Sequence, residues 1–401
     1  MSHFVVVGAG QAGLSIVTTL RAGGFAGKIT LIGDEPVPPY QRPPLSKAYL
    51  LGDMALERLF LRPAHYYADE NIALVTGAAV SGLDPVARTV TVGNETVSYD
   101  KLALATGAAP RLLSPALGGT LEGVYTMRTL ADADAMAPEF REGASVLVVG
   151  GGYIGLEAAA VAAKKGLKVT LIEAAERILR RVAAKETSDY FRALHRRHGV
   201  DLREGVGLER LTGERRVSGA LLTDGTELEV DFVIVGTGIT PDTRLAEQAG
   251  LVLENGIRTD AHARTSDPHI YAAGDCASFP HLGRQIRLES VGNAIDQGEI
   301  AAKNMMGGEE TYIAKPWFWS DQYDVKLQIA GLSAGHDRVV SREGEGARSH
   351  WYYRDGHLIA IDAMNDPRSY MVAKRLIEAG RSADPDLVAD PATDLKTLMR
   401  G

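Results

Sequence analysis

The stretch Phe4-Val5-Val6-Val7-Gly8-Ala9-Gly10-Gln11-Ala12-Gly13 runs four apolar residues into a cluster of three glycines. An apolar run with no polar alternation reads as a strand buried on both faces of a parallel sheet. A helical pattern follows to about Gly23, and a second apolar run, Ile29-Thr30-Leu31-Ile32, ends at Gly33-Asp34-Glu35. The same order returns further on. Val146-Leu147-Val148-Val149 meets Gly150, Gly152 and Gly155, an Ala-rich helix runs to Gly166, and Val169-Thr170-Leu171-Ile172 closes at Glu173. Each copy is followed by a predicted hairpin, residues 88–92 with 96–99 around Gly93-Asn94-Glu95, and 217–222 with 226–230 around Asp224-Gly225. Each then ends a last strand in a similar way, at Thr106-Gly107-Ala108-Ala109-Pro110 and at Thr237-Gly238-Ile239-Thr240-Pro241. Two nucleotide-binding domains of related architecture are expected.

The glycine spacing has a chemical reading because of where it falls. After a strand and before a helix, the first glycine makes a tight turn, the second lets backbone approach a pyrophosphate, and the third lets helix pack on strand. The helix N-terminus faces the phosphates with about half a positive charge. An acid at the end of the second strand, Asp34 in one copy and Glu173 in the other, accepts from ribose hydroxyls. Glu173 would also repel the extra phosphate of NADPH, by up to ~4 kcal/mol per like-charge pair at ~4 Å and a dielectric of ~20. NADH is therefore the expected nicotinamide. A flavin that is held while a nicotinamide comes and goes makes FAD the expected second dinucleotide.

Composition sets the outer limits. At a typical ~150 residues per domain, 401 residues make two to three domains. Glycine, 44 residues, is enriched over the usual ~7%. The net charge of −8 argues against a nucleic-acid binder held by phosphate neutralisation. The single cysteine, Cys276, excludes an internal disulfide, a Cys-based zinc cluster and any mechanism needing two thiols in one chain. No apolar run reaches the ~18 residues of a membrane span, and the opening residues lack the basic region of a signal peptide. A cytoplasmic enzyme is expected. From about residue 316 the texture changes: Trp317 and Trp319, short strands near 325–329, 338–342, 349–354 and 357–361, and a helix opened by Asp366-Pro367 and closed by Gly380. The expected fold is α/β, two Rossmann-like dinucleotide-binding domains plus a C-terminal α+β domain. Its limits are 1–109 with 239–316 for FAD, 110–238 for NAD, and 317–401 for the last domain.

Taken together, Gly8 to Gly13, Arg42-Pro43-Pro44-Leu45-Ser46-Lys47, Ala105-Thr106-Gly107, Gly150 to Glu157, Gly238-Ile239-Thr240-Pro241 and Tyr271-Ala272-Ala273-Gly274-Asp275 fall in an order that resembles the FAD-dependent pyridine-nucleotide oxidoreductases. The Arg-Pro-Pro-Leu-Ser-Lys block and Asp390-Pro391-Ala392-Thr393-Asp394-Leu395 resemble one branch, the NADH-dependent ferredoxin reductases of oxygenase systems. The resemblance covers essentially the whole chain. It implies that Gly8, Gly10, Ala12, Gly13, Ala105, Thr106 and Gly107 frame the FAD, with Asp34 on its adenosine part, Val80 on adenine, Arg42, Lys47 and Arg128 reaching the cofactor, Asp275 on the ribityl chain, and Val291 and Trp319 beside the flavin; Gly238 is also expected to bind cofactor. It further implies that Gly150, Gly152, Ile154, Gly155, Glu157 and Glu173 serve NADH. Lys47 and Glu157 become the expected catalytic residues, as an ion pair. Trp317 is read as a core anchor.

What the resemblance implies for the reaction turns on a missing thiol. Disulfide reductases of this superfamily use a Cys pair beside the flavin, and their peroxidase relatives a single Cys after the first helix; residues 39–51 contain none. Cys276 is read as a buried structural thiol. The implied reaction is hydride transfer from NADH to a tightly but non-covalently bound FAD, then single electrons to a [2Fe–2S] ferredoxin that supplies a cytochrome P-450 monooxygenase. An NADH oxidase, diaphorase or rubredoxin reductase, and an NADH-sensing flavoprotein of the apoptosis-inducing type, stay open as alternatives. No membrane or nucleic-acid partner is expected, and the chain is expected to act as a monomer or homodimer. Residues 176–216 carry eleven Lys or Arg against seven Asp or Glu, with Arg177, Arg180, Arg181, Arg192, Arg196 and Arg197 as a candidate patch for an acidic partner; a solvated helix face is the competing reading. His195 and His198 have no acidic or thiol companions, so no metal is assigned.

Overall fold

The computed structural model describes residues 2–399, which group into two compact units: residues 2–41, 56–109 and 239–316, and residues 42–55, 110–238 and 317–399. The first unit is built on a five-stranded parallel sheet in the order Ile270–Ala272, Lys101–Leu104, His3–Val7, Lys28–Ile32, Ile72–Val75. The central strand is apolar because both its faces are covered: Phe4 and Val6 pack with Leu14, Ile16 and Val17 of the helix Gln11–Ala22, and Val5 and Val7 pack into a second cluster with Leu102, Leu104 and Ile270. An antiparallel meander, Val80–Asp84, Thr89–Val92 and Glu95–Ser98, follows the third of these strands in the chain.

The second unit repeats the plan. Its parallel sheet runs Asp201–Glu204, Lys168–Glu173, Ser145–Val149, Phe232–Val235, Val124–Thr126. The register also repeats, since Val149 opposes Ile172 as Val7 opposes Ile32. A second meander, Leu208–Thr212, Gly219–Leu222 and Glu227–Glu229, falls between Asp201–Glu204 and Phe232–Val235, as the first falls between Ile72–Val75 and Lys101–Leu104. This unit also contains a five-stranded antiparallel sheet ordered Trp317–Gln322, Val325–Gly331, His357–Met364, Ala347–Arg354, Arg338–Gly344. The helix Pro367–Glu378 packs Tyr370, Val372, Ala373 and Leu376 against Trp351, Ile361 and Ala363 of that sheet. Asp366 caps the helix by accepting from the Ser369 N–H at 3.0 Å, which is the acid-then-proline start read from the sequence.

Two groupings differ from the sequence-based limits. Residues 42–55 join the second unit, because Leu45 and Ser46 are buried there and Ser46 and Lys47 bond to Glu157. Residues 110–238 and 317–399 form one unit, tied by buried polar bonds: Thr187 Oγ1–H donates to Asp362 Oδ2 at 2.7 Å, and the Ala184 N–H donates to Tyr352 Oη at 3.1 Å. No described helix is long and apolar enough to cross a membrane.

Candidate dinucleotide and redox site

In the first unit the glycine loop is forced by close backbone approach. Gly8 sits at φ 113°, and a Cβ there would lie 2.0 Å from the Ala105 carbonyl oxygen; at Gly13 it would lie 1.9 Å from the Gly8 oxygen. No side chain larger than hydrogen fits either place. Gly10 differs. It is the N-cap of the helix Gln11–Ala22, with no side-chain cap, and a Cβ there would meet nothing within 4 Å. The unsatisfied N–H groups of a helix start thus face open room, the arrangement that takes an anion. Ala12 is buried beside the turn Gly274-Asp275, where the Gly274 N–H donates to Gln297 Oε1 at 2.9 Å. Gln297 Nε2 is left buried with no partner. An uncapped helix start, open space at Gly10 and an orphaned amide donor fit the phosphates and hydroxyls of a dinucleotide, the FAD the sequence points to.

The remaining predicted residues of this unit are placed as follows. Asp34 is exposed just beyond the strand Lys28–Ile32. Val80 is buried at the start of the meander. Thr106 Oγ1–H donates to the Asp242 carbonyl at 2.6 Å, and Gly107 takes φ 72°. Val291 is the half-buried first residue of the helix Val291–Met305, which Ser290 caps by accepting from the Asn293 N–H. Cys276 is fully buried; its thiol lies 3.5 Å from the Leu104 and Ala273 carbonyls, and burial pushes its ionisation up. Such a thiol is chemically quiet.

The second unit repeats the loop, with Gly150 (φ 111°) against the Gly236 oxygen, Gly155 against the Gly150 oxygen, and Gly152 open at the N-cap of the helix Tyr153–Lys164. Glu173 braces this loop: Oε2 accepts from the Gly151 N–H and Oε1 from the Ala175 N–H, both at 2.8 Å. Ile154 is 40% exposed in the first turn. Gly238 (φ 104°) leaves its open side toward Arg181 Nη2.

The predicted ion pair is present. Lys47 Nζ lies 2.8 Å from Glu157 Oε2, and Glu157 is buried. Two hydroxyls that the sequence did not single out complete the carboxylate's shell. Ser46 Oγ–H donates to Oε2 and Ser320 Oγ–H to Oε1, each at 2.7 Å. Ser46 lies inside the Arg-Pro-Pro-Leu-Ser-Lys block and Ser320 directly follows Trp319, so adjacency was the available signal. Gln297 had none. Arg42 Nη1–H donates to the Arg128 carbonyl at 2.8 Å, which draws these two predicted residues together. Trp319 and Trp317 stack at 5.5 Å between ring centroids, and both are half-buried.

The arginine-rich stretch is largely spent on internal bonds. Arg192 is clamped between Asp189 and Glu204, Arg177 donates to Ser188 Oγ, and Arg180 pairs with Glu176. His195 is buried against Gln322 and Tyr323. Among the described residues no group of three or more His, Cys, Asp or Glu is placed to hold a metal.

Known proteins match this chain over nearly their full length. Residues 2–298 match the pyridine nucleotide-disulphide oxidoreductase family and residues 317–399 the reductase C-terminal family. Rhodocoxin reductase of Rhodococcus erythropolis is 42% identical over 98% of this chain and 94% of its own length. The reductase in the covalent putidaredoxin reductase–putidaredoxin complex superposes with a TM-score of 0.96 at 39% identity, covering 100% of this chain and 98% of that one. The ferredoxin reductase for the CYP199A2 system of Rhodopseudomonas palustris gives 0.96 at 38% identity, covering 99% of each chain. The chain belongs to the pyridine nucleotide-disulphide oxidoreductase family, in its branch of FAD-dependent ferredoxin reductases that serve oxygenase systems.

Proposed function

We propose that this chain is an NADH-dependent ferredoxin reductase, passing electrons from NADH through a tightly held, non-covalent FAD to a [2Fe–2S] ferredoxin that feeds a cytochrome P-450 monooxygenase. The observation that carries the reading is the Lys47–Glu157 pair in a chain whose only cysteine is buried and bonded to carbonyls. With no thiol to relay them, electrons leave directly for an external acceptor. Bound FAD supplies the hydride acceptor and the one-electron donor. The protein supplies binding, orientation and charge.

In this reading the backbone around Gly8, Gly10, Ala12 and Gly13 holds the FAD pyrophosphate, Asp34 its adenosine ribose and Val80 its adenine. Ala105, Thr106, Gly107, Arg42, Arg128, Asp275, Val291 and Trp319 complete its surroundings, and Gly238 also binds cofactor. Gly150, Gly152, Ile154, Gly155 and Glu173 hold NADH. The Lys47 ammonium, fixed by Glu157, stabilises negative charge that develops during hydride transfer. The dinucleotide assignments follow the two glycine loops, FAD to residues 1–109 and 239–316 and NADH to 110–238. The proposed compartment is the cytoplasm, where NADH is regenerated.

Anaerobic mixing with NADH should bleach the flavin's visible band, and a second mixing with a [2Fe–2S] ferredoxin should restore it. Flavin that NADH fails to reduce would overturn the proposal. Reduced flavin that oxygen or quinones reoxidise, but no ferredoxin does, would make the protein an oxidase.

A further inference from the structure

A chain of buried polar side chains leads away from Glu157, and the hydride chemistry of Lys47 and Glu157 alone does not use it. Ser320 Oγ–H donates to Glu157 Oε1 at 2.7 Å, and Gln322 Nε2–H donates to Ser320 Oγ at 3.1 Å. His195 Nε2 lies 2.8 Å from Gln322 Oε1, and Tyr323 Oη lies 3.2 Å from His195 Nδ1. Ser320, Gln322 and His195 are all fully buried. The chain therefore crosses from the helix Tyr153–Lys164 through the strand Trp317–Gln322 to the helix Lys185–Arg197, and ends where Tyr323 stacks flat on exposed His198, 3.7 Å between centroids. Tyr323 is held there from a left-handed turn residue, φ 57°.

The direction of every bond follows from the first. An ionised carboxylate only accepts, so the single hydroxyl proton of Ser320 is committed to Glu157. Ser320 can then offer Gln322 only a lone pair, which turns the amide nitrogen toward it and the amide oxygen toward His195. That oxygen requires a proton on His195 Nε2, and Nδ1 is left to accept from Tyr323. Neutral imidazole is required at this place, and burial pushes His195 down to about 4. Four donors thus point one way, toward the carboxylate, and bonds aligned in a chain polarise one another. Ser320 also holds Oε1 alone, while Ser46 and Lys47 share Oε2; without Ser320 the carboxylate is held through one oxygen only.

Resting on the functional reading above, we propose that Ser320, Gln322 and His195 are positioning residues for hydride transfer, a one-way hydrogen-bond chain that fixes the Glu157 carboxylate against Lys47. The strand that opens the C-terminal sheet thereby contributes to the reaction as well as to folding.

The test uses holoenzyme, histidine-labelled with nitrogen-15. In the wild type at neutral pH, His195 is expected as the Nε2–H tautomer, and Gln322→Leu should release it from that form. The same variant should slow the NADH-to-flavin step about tenfold with the NADH dissociation constant changed less than twofold. Ser320→Ala, which leaves a smaller buried defect, should behave alike, and Ser320→Thr, which keeps the hydroxyl, should restore the rate. In a Glu157→Gln background Gln322→Leu should slow the step no further, whereas a merely structural defect would persist there. An Nδ1–H tautomer in the wild type, an unchanged rate in both Gln322→Leu and Ser320→Ala, or full slowing in the Glu157→Gln background would overturn the inference. A wild-type flavin that NADH does not reduce would instead sink the functional reading, and the tautomer measurement would still judge the hydrogen-bond chain.

Discussion

Glu173 has two attachments before any ligand arrives, the N–H groups of Gly151 and Ala175. In the role proposed for it, a carboxylate already holding the glycine loop in shape would offer its remaining lone pairs to ribose hydroxyls at little reorganisation cost. Reversal of its charge should therefore do two things. Glu173→Arg removes the repulsion toward the extra phosphate, so the ratio of kcat/KM for NADPH to that for NADH should rise at least tenfold. It also strips the loop of its acceptor, so absolute efficiency with NADH should fall by more than the change in charge alone requires. Parallel steady-state kinetics with both nucleotides reads both effects, and an unchanged ratio contradicts the role of Glu173. Lys47 has a different signature. With Glu157, Ser46 and Ser320 arranged as they are, Lys47→Gln keeps much of the bulk and loses the cation, which should slow flavin reduction about a hundredfold in stopped flow. The sequence exposed the charged partners because rare blocks carry them. It did not expose the hydroxyls, since serine is common and nothing in its spacing marks a buried hydrogen bond to a carboxylate 111 positions away.

The two strand–loop–helix units separate what glycine does for folding from what it does for binding. Gly13 meets the Gly8 oxygen of its own loop, so Gly13→Ala should push the helix Gln11–Ala22 off the sheet and lower both Tm and FAD content. Gly10, at φ −97° with no neighbour within 4 Å of the place a methyl would take, tolerates alanine in the chain alone. Gly10→Ala should then keep a secondary-structure spectrum like the wild type's while binding FAD more weakly, the added methyl occupying the space a pyrophosphate needs. Flavin content after gel filtration, read beside circular dichroism, distinguishes the pair; equal losses in both variants would mean the open space at Gly10 is not a cradle. These units were legible in advance because parallel-sheet physics leaves a strong trace: unbroken apolar strands, glycines at fixed offsets and an acid at the second strand end. The strand Trp317–Gln322 was not, because Trp-Phe-Trp-Ser-Asp-Gln has neither clean alternation nor an apolar run. Its pairing with Val325–Gly331, which itself pairs with the distant His357–Met364, decides its conformation.

Stability across pH should report the polar core that joins residues 110–238 of the second unit to its antiparallel sheet. Asp362 is fully buried, accepts from Tyr352 Oη and Thr187 Oγ1 on one oxygen, and leaves Oδ1 with no partner. Desolvation outweighs those two bonds and pushes its carboxyl up to about 6. Since the folded protein holds this proton more tightly than the unfolded chain, whose carboxyl titrates near ~3.9, the contribution is fully present at low pH. It is lost as pH rises through about 6, costing up to about 3 kcal/mol once the group is ionised. The buried imidazoles His195 and His350, pushed down to about 4 by desolvation, act in the opposite sense: their contribution is present above ~6.5 and is lost as pH falls toward 4. The wild-type curve is a sum of opposing slopes, so its shape alone identifies neither. Asp362→Asn isolates one of them. The amide oxygen keeps both hydroxyl donors and cannot ionise, so the variant should gain on the wild type between pH 4 and 7 and hold a constant lead above that. Urea denaturation of wild type and variant at each pH measures the difference, and two curves that stay parallel from pH 4 to 7 would show that Asp362 does not titrate within the folded protein.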